Sequence, residues 1–518
     1  MSTQTISSTT PAATPETSRR RYVPYLVFTL CASLYFLPFM RLVRLEADEG
    51  TIIDGAVRIV HGQVFARDFF EVMGPGSFYW LVFFFKLFGV SFLSTRICLF
   101  VTSLGTAFLM YFLARRVCRR YQALPCILLF STCFCFLWPA ISHHVDSNFF
   151  ALLAFTCLVL WEDSRKNILL LAAGALAGAT TCILLPKGIL LLLAFLVWLW
   201  IQHRRRSVSL SAFGLMIVGY FIVVSSMLLY FWSQGGLNDL SYANFVWPFR
   251  HYGALNTVPY AQGILRDHWY PWVIPTNGIH WTVGVAAIQI IPFLFVAALP
   301  ALLLILGFKN RVADIKPEIL LYWLCGWALW LSELHRRDMV HLAFGSPLLV
   351  ILCIHYLSEY RTKVIDLALQ ILLISASFLA CINLFMVLAA HPVTTRVGTV
   401  TVYSDASVLT FLDKHVAPGT EIFAYPYCPM YYFLTDTENP TRYSILVYRY
   451  NTSSQYQEVV QTLERRKVKY AVWDTNYITK PAPTQSFIIE PYLESHYKII
   501  WAKDGIRIME RKSDGDAK

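Results

Sequence analysis

Apolar stretches long enough to cross a bilayer recur along most of this chain, and that recurrence sets its architecture before any motif is read. A helix needs roughly 20 apolar residues to span the hydrocarbon core. Such stretches fall near 22–40, 92–114, 122–141, 147–161, 167–185, 187–202, 209–232, 281–307, 318–334, 341–357 and 364–390. Backbone amides cannot stay unpaired in lipid, so each stretch is read as a helix and the chain as a polytopic α-helical membrane protein with about eleven crossings. Of 518 residues, 56% are hydrophobic and only 14% charged, which excludes an ordinary soluble protein. The net charge of +11 would suit nucleic acid. The basic residues, however, come in short clusters between apolar stretches, as the positive-inside rule produces, so no nucleic-acid partner is expected.

Three segments follow from this pattern. Residues 1–21 read as a disordered cytoplasmic tail, rich in Ser, Thr and Pro and ending in Arg19–Arg21. Residues 22–390 form the membrane module, and 391–518 a C-terminal domain of ordinary charge outside the cytoplasm. With the tail inside, Arg115–Arg120, Arg165/Lys166, Arg204–Arg206, Lys309–Lys316 and Arg361/Lys363 all face the cytoplasm. That alternation holds only if 77–88 lies at the interface instead of crossing. Lys187, Arg336, Arg337 and His341 then fall on the outer side, where the rule disfavours cations. Their chemistry suits a lipid-linked phosphate. The competing reading is a loop ion pair between the arginines and Asp338 or Glu333.

The first outer loop, about 41–91, is long for a connection between membrane helices. Ile52, Ile53, Ala56, Val57 and Val60 recur at helical spacing, so an amphipathic helix at the interface is expected. Asp48 and Glu49 stand at its start. They could cap the helix amides or serve general-base chemistry, and the second carboxylate exceeds what capping needs. Arg67, Glu71 and the turn Gly74-Pro75-Gly76 follow. At the outer end of the third stretch, His143, His144 and Asp146 could line a cavity, sit at the interface or ligate a metal. No further ligands stand at zinc-like spacing, so a divalent metal ranks last. The aromatics of the outer loop 233–280 suit an interfacial belt, with Asn244, Arg250, His251 and Asp267 as acceptor contacts.

Glu46, Asp48, Glu49, Gly50, Arg58, Gly62, Arg67-Asp68-Phe69, Gly74-Pro75-Gly76 and Phe78-Tyr79-Trp80 together resemble the first periplasmic loop of glycosyltransferase family 39. Those are GT-C membrane enzymes, among them protein O-mannosyltransferases and the lipid A aminoarabinose transferase. The resemblance implies an inverting transfer of one sugar from a polyprenyl-phosphate carrier to an acceptor hydroxyl on the periplasmic face of the inner membrane. It makes Asp48 the general base and has Glu49 orient the acceptor or Asp48. Lys187, Arg336, Arg337 and His341 would stabilise the departing phosphate, and Arg67, Glu71, His143, His144 and Asp146 would line the cavity. No cofactor is expected beyond the lipid-linked sugar, and the acceptor could be a glycan, a lipid or a protein. Two departures stand out: Glu71 is followed by Val72 and Met73 where many members place a basic residue and proline, and the last outer loop reads His335-Arg-Arg-Asp-Met-Val-His341.

In the C-terminal region, helices are expected over 407–415 and 455–466 and strands over 421–425, 470–473, 497–500 and 506–510, making a small α/β domain. Cys428 stands alone there, which rules out a disulfide framework within the domain. The rival from another class is a transporter or flippase for lipid-linked sugars, which would place ionisable groups at the membrane midplane and show matching halves. A receptor or scaffold would tolerate neutral Asp48.

Overall fold

The computed structural model describes residues 15–43, 45, 47–118, 123–129, 140–252, 258–262, 279–309, 315–360, 362–403, 405–447, 450–477 and 488–513. The expected tail up to residue 14, Arg119, Arg120, positions 130–139 of the third apolar stretch, Arg266, Asp267, Trp269, Tyr270 and Trp272 lie outside the described residues.

The membrane module opens with α1 (Pro15–Phe36), α2 (Ala47–Val60), α3 (Gly76–Phe88), α4 (Phe92–Val117) and α5 (Leu124–Leu129). It continues through α6 (His143–Ser164), α7 (Asn167–Ile183), α8 (Leu185–Arg204), α9 (Ser211–Ser233) and α10 (Leu237–Ser241). The last set is α11 (Ile279–Lys309), α12 (Pro317–Glu333), α13 (Met339–Gly345), α14 (Pro347–Glu359) and α15 (Lys363–Leu388). Among the described residues, seven helices are long and apolar enough to cross a membrane. The count becomes eight if α13 and α14, bent by 71° to each other, form one broken span. The eleven expected crossings are thus met by fewer full-length helices among the described residues. At 13 residues α3 is too short to cross, in keeping with its expected place at the interface.

Ion pairs show how the helix ends sort. Arg116 near the end of α4 holds Asp163 near the end of α6 at 2.6 Å and Glu318 at the start of α12 at 2.8 Å. The starts of α4, α6 and α8 and the end of α12 therefore share the opposite face. Small residues set the packing between: a Cβ at Gly174 would lie 2.0 Å from the Met216 carbonyl oxygen, so α7 and α9 meet backbone to backbone.

The C-terminal domain comprises the hairpin β1 (His391–Thr395) and β2 (Gly398–Val402), then α16 (Ser407–His415), β3 (Ile422–Tyr425), α17 (Met430–Leu434) and α18 (Ser453–Arg466). After these come β4 (Tyr470–Asp474), α19 (Ile489–His496), β5 (Tyr497–Lys503) and β6 (Ile506–Arg511). Its four-stranded sheet has the order β3-β4-β6-β5, with β3 and β4 parallel and the rest antiparallel. This domain docks on the first outer loop. Val43 donates to the Thr401 carbonyl at 2.8 Å, Phe92 to that of Val397 at 3.0 Å, and Phe70 to that of Arg442 at 2.8 Å. Ile52, Ile53 and Ala56 of α2 are fully enclosed, and so are Asp54 and Arg58 on its other side. The amphipathic pattern of α2 is thus buried on both faces, with its polar side closed by protein.

Candidate functional site

The first turn of α2 carries both Asp48 and Glu49, where unpaired helix amides favour carboxylates. Successive residues on a helix point about 100° apart, and here the two carboxylates meet different surroundings. Glu49 is buried in a bidentate pair with Arg96 of α4, at 2.6 and 3.0 Å, and its Oε1 also accepts from the Ile141 amide at 3.0 Å. The Arg96 guanidinium, itself fully buried, lies 4.4 Å over the Phe92 ring. Asp48 is only half-buried, and its Oδ1 accepts a 2.9 Å hydrogen bond from the Tyr427 hydroxyl of the C-terminal domain.

One turn further along, Asp54 pairs with Arg58 at 3.3 Å and accepts from the Ser444 hydroxyl at 3.3 Å. Arg58 also donates to the carbonyls of Asn439 and Thr441, at 3.0 and 2.7 Å. Burial raises the Asp54 carboxyl above its ordinary range against the opposing pull of Arg58. Glu71 is buried too, with Oε1 unbonded, and burial pushes its carboxyl up to about 8, helped by the negative charges of Asp54 and Asp48.

A second cluster forms where α6 and α8 begin and α12 ends. The Lys187 ammonium sits 2.6 Å from Glu333 Oε1 and 2.8 Å from Asn148 Oδ1, with Lys187 and Glu333 fully buried. His144 Nδ1 lies 3.1 Å from Glu333 Oε2. His341 Nδ1 meets Asp338 Oδ1 at 2.7 Å, and Arg336 Nε donates to Asp338 Oδ2 at 2.6 Å. Although burial opposes it, the Asp338 carboxyl is held down at about 2 by His341 and Arg336. Arg337 lies exposed beside them, its carbonyl accepting from the Ala261 amide at 2.8 Å. Donor atoms of His144, Glu333 and His341 all fall within 4.8 Å of one another, a spacing that could take a divalent ion. Lys187 already brings positive charge to Glu333 there.

Residues 73–230 match a family model described as dolichyl-phosphate-mannose-protein mannosyltransferase. The crystal structure of ArnT from Cupriavidus metallidurans bound to undecaprenyl phosphate superposes with a TM-score of 0.57 at 12% identity, covering 96% of this chain and 99% of that one. The protein has a GT-C fold like that of ArnT. The apo state of the same ArnT aligns over 95% of this chain and 98% of that one, at 11% identity and a TM-score of 0.43. No curated protein sequence matches the chain.

Within this GT-C frame the expected site residues separate into groups. Asp48, Glu49 and Glu71 come together around α2, while Lys187, Arg336, Arg337, His341 and His144 come together at the helix ends. The Glu49–Ile141 bond ties the two regions, since Ile141 lies three residues before His144. Arg67, expected in the cavity, is instead exposed and paired with Asp68 at 2.8 Å, and it donates to the Gln234 carbonyl at 2.7 Å. Lys187, expected to hold phosphate, is sealed against Glu333. The loop ion pair that competes with phosphate binding is formed by Arg336 and Asp338. His143 is half-buried with Nδ1 unbonded, and Asp146 is buried with Oδ2 unbonded; among the described residues the groups close enough to share an ion are His144, Glu333 and His341, so of the expected three only His144 is among them. Asn244 bonds the carbonyls of Val72 and Met73 at 3.2 and 3.1 Å, bracing the loop that carries Glu71. Sequence reasoning missed Arg96 and Ser444, whereas Asn148 stands in the pattern His143-His144-x-Asp146-x-Asn148 and Tyr427 in the Pro/aromatic segment 425–432, which reads as a packed turn or an acceptor contact. Of the two missed, only Arg96 had a signal, as a lone charge inside an apolar stretch.

Proposed function

We propose that the protein is an inverting glycosyltransferase that moves one sugar from a polyprenyl phosphate to an acceptor hydroxyl on the extracytoplasmic side of the membrane. The observation that carries this reading is the unequal fate of the acidic pair: Glu49 is locked to Arg96, whereas Asp48 stays half-open in the first turn of α2. A general base must be ionised and within reach of the proton it removes. Asp48 takes the proton of the acceptor hydroxyl as that oxygen attacks the anomeric carbon, and the bond to phosphate breaks on the opposite face. The polyprenyl phosphate carries away the negative charge and needs cations more than a strong acid. Arg337 serves that end, and Arg336 and His341 add positive charge from their places on Asp338, while Lys187 holds Glu333 and shapes the cluster without touching the donor.

The fold likeness to a protein crystallised with undecaprenyl phosphate supports a carrier of that kind. The arginines gathered at the other helix ends, Arg115, Arg116, Arg165 and Arg204, support placing the site on the non-cytoplasmic face. Glu49 would set the helix from which Asp48 projects, and Glu71 would give the cavity floor a protonated, uncharged carboxyl.

The test is a comparison of wild type with Asp48→Asn in membranes supplied with undecaprenyl-phosphate-linked sugars, with glycan products followed by mass spectrometry. Losing the base should lower turnover roughly 10²- to 10⁴-fold, with thermal stability kept. Equal product from both proteins would remove Asp48 as the base.

A further inference from the structure

The C-terminal domain meets the first loop at one point that bears on chemistry. Its sheet ends at Tyr425, and residues 426–430 lead into α17 over the first turn of α2. Pro426, Cys428, Pro429 and Met430 are all buried, and the Pro426 carbonyl accepts from the Leu446 amide at 2.8 Å. The approach is close: a Cβ on Gly50 would lie 2.6 Å from the Met430 nitrogen. Residue 427 is therefore fixed over α2 by its buried neighbours on either side. Its hydroxyl reaches 2.9 Å from Asp48 Oδ1.

We infer that Tyr427 is a positioning residue for Asp48, so that the C-terminal domain completes the catalytic centre. This rests on Asp48 being the base proposed above. An ionised carboxylate only accepts hydrogen bonds and offers about four lone-pair sites, so the bond from Tyr427 leaves capacity for an acceptor hydroxyl. That bond restrains the carboxylate's rotation, and because it is made to the charged form it favours the state a base needs. The phenol keeps its proton throughout. It orients Asp48 and takes no part in the transfer. A ring present only for packing would do neither.

The experiment uses full-length protein in lipid nanodiscs, with undecaprenyl-phosphate-linked hexoses and pentoses as donor probes and a bacterial membrane glycolipid extract as acceptor. Released undecaprenyl phosphate is measured against pH. Tyr427→Phe should lower kcat about tenfold, leave the donor KM unchanged and move the acid limb of the profile up by roughly one pH unit, the size of one charge-assisted hydrogen bond. Tyr497→Phe, whose hydroxyl bonds Val468 within the domain, should keep the wild-type profile. A Tyr427→Phe profile matching wild type, beside an inactive Asp48→Asn, overturns the inference and leaves the base in place. Turnover by Asp48→Asn at the wild-type rate overturns both. A double-mutant cycle of Tyr427→Phe with Asp48→Asn, read as the apparent Tm, checks the contact independently of substrate. Non-additive shifts support it and additive shifts refute it.

Discussion

The acidic loop cluster and the cationic helix-end cluster are built from different materials but on one plan. Around α2 the groups are mostly carboxylates, closed over by a domain from the far end of the chain. At the starts of α6 and α8 the charges are mixed, and membrane helices with the α12–α13 connection assemble them. In each, a fully enclosed ion pair sits beside a more open group: Glu49–Arg96 beside Asp48, and Lys187–Glu333 beside Arg336, Arg337 and His341. Enclosed pairs are poor sites for chemistry, because their charges are already met and water is absent. They are good anchors, because the geometry is over-determined. On the proposed reading, the sealed charge holds position and its more open neighbour reacts.

Breaking the anchors tests that division most severely. Arg96→Met and Lys187→Met each leave a buried carboxylate without its cation, and each should cost about 3–5 kcal/mol of stability, seen as loss of folded protein in detergent. Adding Glu49→Gln to the first and Glu333→Gln to the second should restore much of that. If stability stays intact while turnover vanishes, the enclosed pair is itself the working group. A smaller effect belongs to the open side of the cationic cluster. Arg337→Ala should raise the donor KM roughly three- to tenfold, with kcat little changed, and more so at low salt. An unchanged donor KM would separate this arginine from the phosphate.

A pH-dependent effect shows as a change of slope. With Glu71 raised by burial to about 8 from 4.5, the folded protein keeps a proton that the unfolded chain has lost. The associated stability is complete below pH 4.5, falls as pH rises and is gone above pH 8. Glu71→Gln cannot ionise, so apparent Tm measured from pH 5 to pH 8 should fall less steeply than in wild type. A parallel fall in both proteins would show that Glu71 ionises freely.

Local pattern carried much of this structure. Apolar length gave α4, α6, α8, α9, α11 and α15, and helical spacing of Ile52, Ile53 and Ala56 gave α2. Short runs of aromatic and β-branched residues gave β3, β4, β5 and β6 within a few positions, although the β1–β2 hairpin, α17 and α19 went unread. Their segments are short, and α17 and α19 carry prolines at their starts. Asp48 and Glu49 were legible as a pair because two adjacent carboxylates exceed what a helix start needs. Their separate fates were not, since Arg96 lies 47 residues from Glu49 and Tyr427 lies 379 from Asp48. Lys187 looked like a phosphate ligand for the same reason: its partner Glu333 is distant in sequence, and only packing reveals that the charge is already met.

The reach from Tyr427 back to Asp48 also has a consequence in time. The ribosome delivers α2 near the beginning and the β3–α17 connection near the end, with every membrane helix but α1 laid down between. A chain halted after α15 would display the acidic turn uncovered and incorrectly oriented. If Asp48 is the base and Tyr427 its guide, competence is withheld until the final segment has folded, and a half-made copy has no means of squandering lipid-bound sugar.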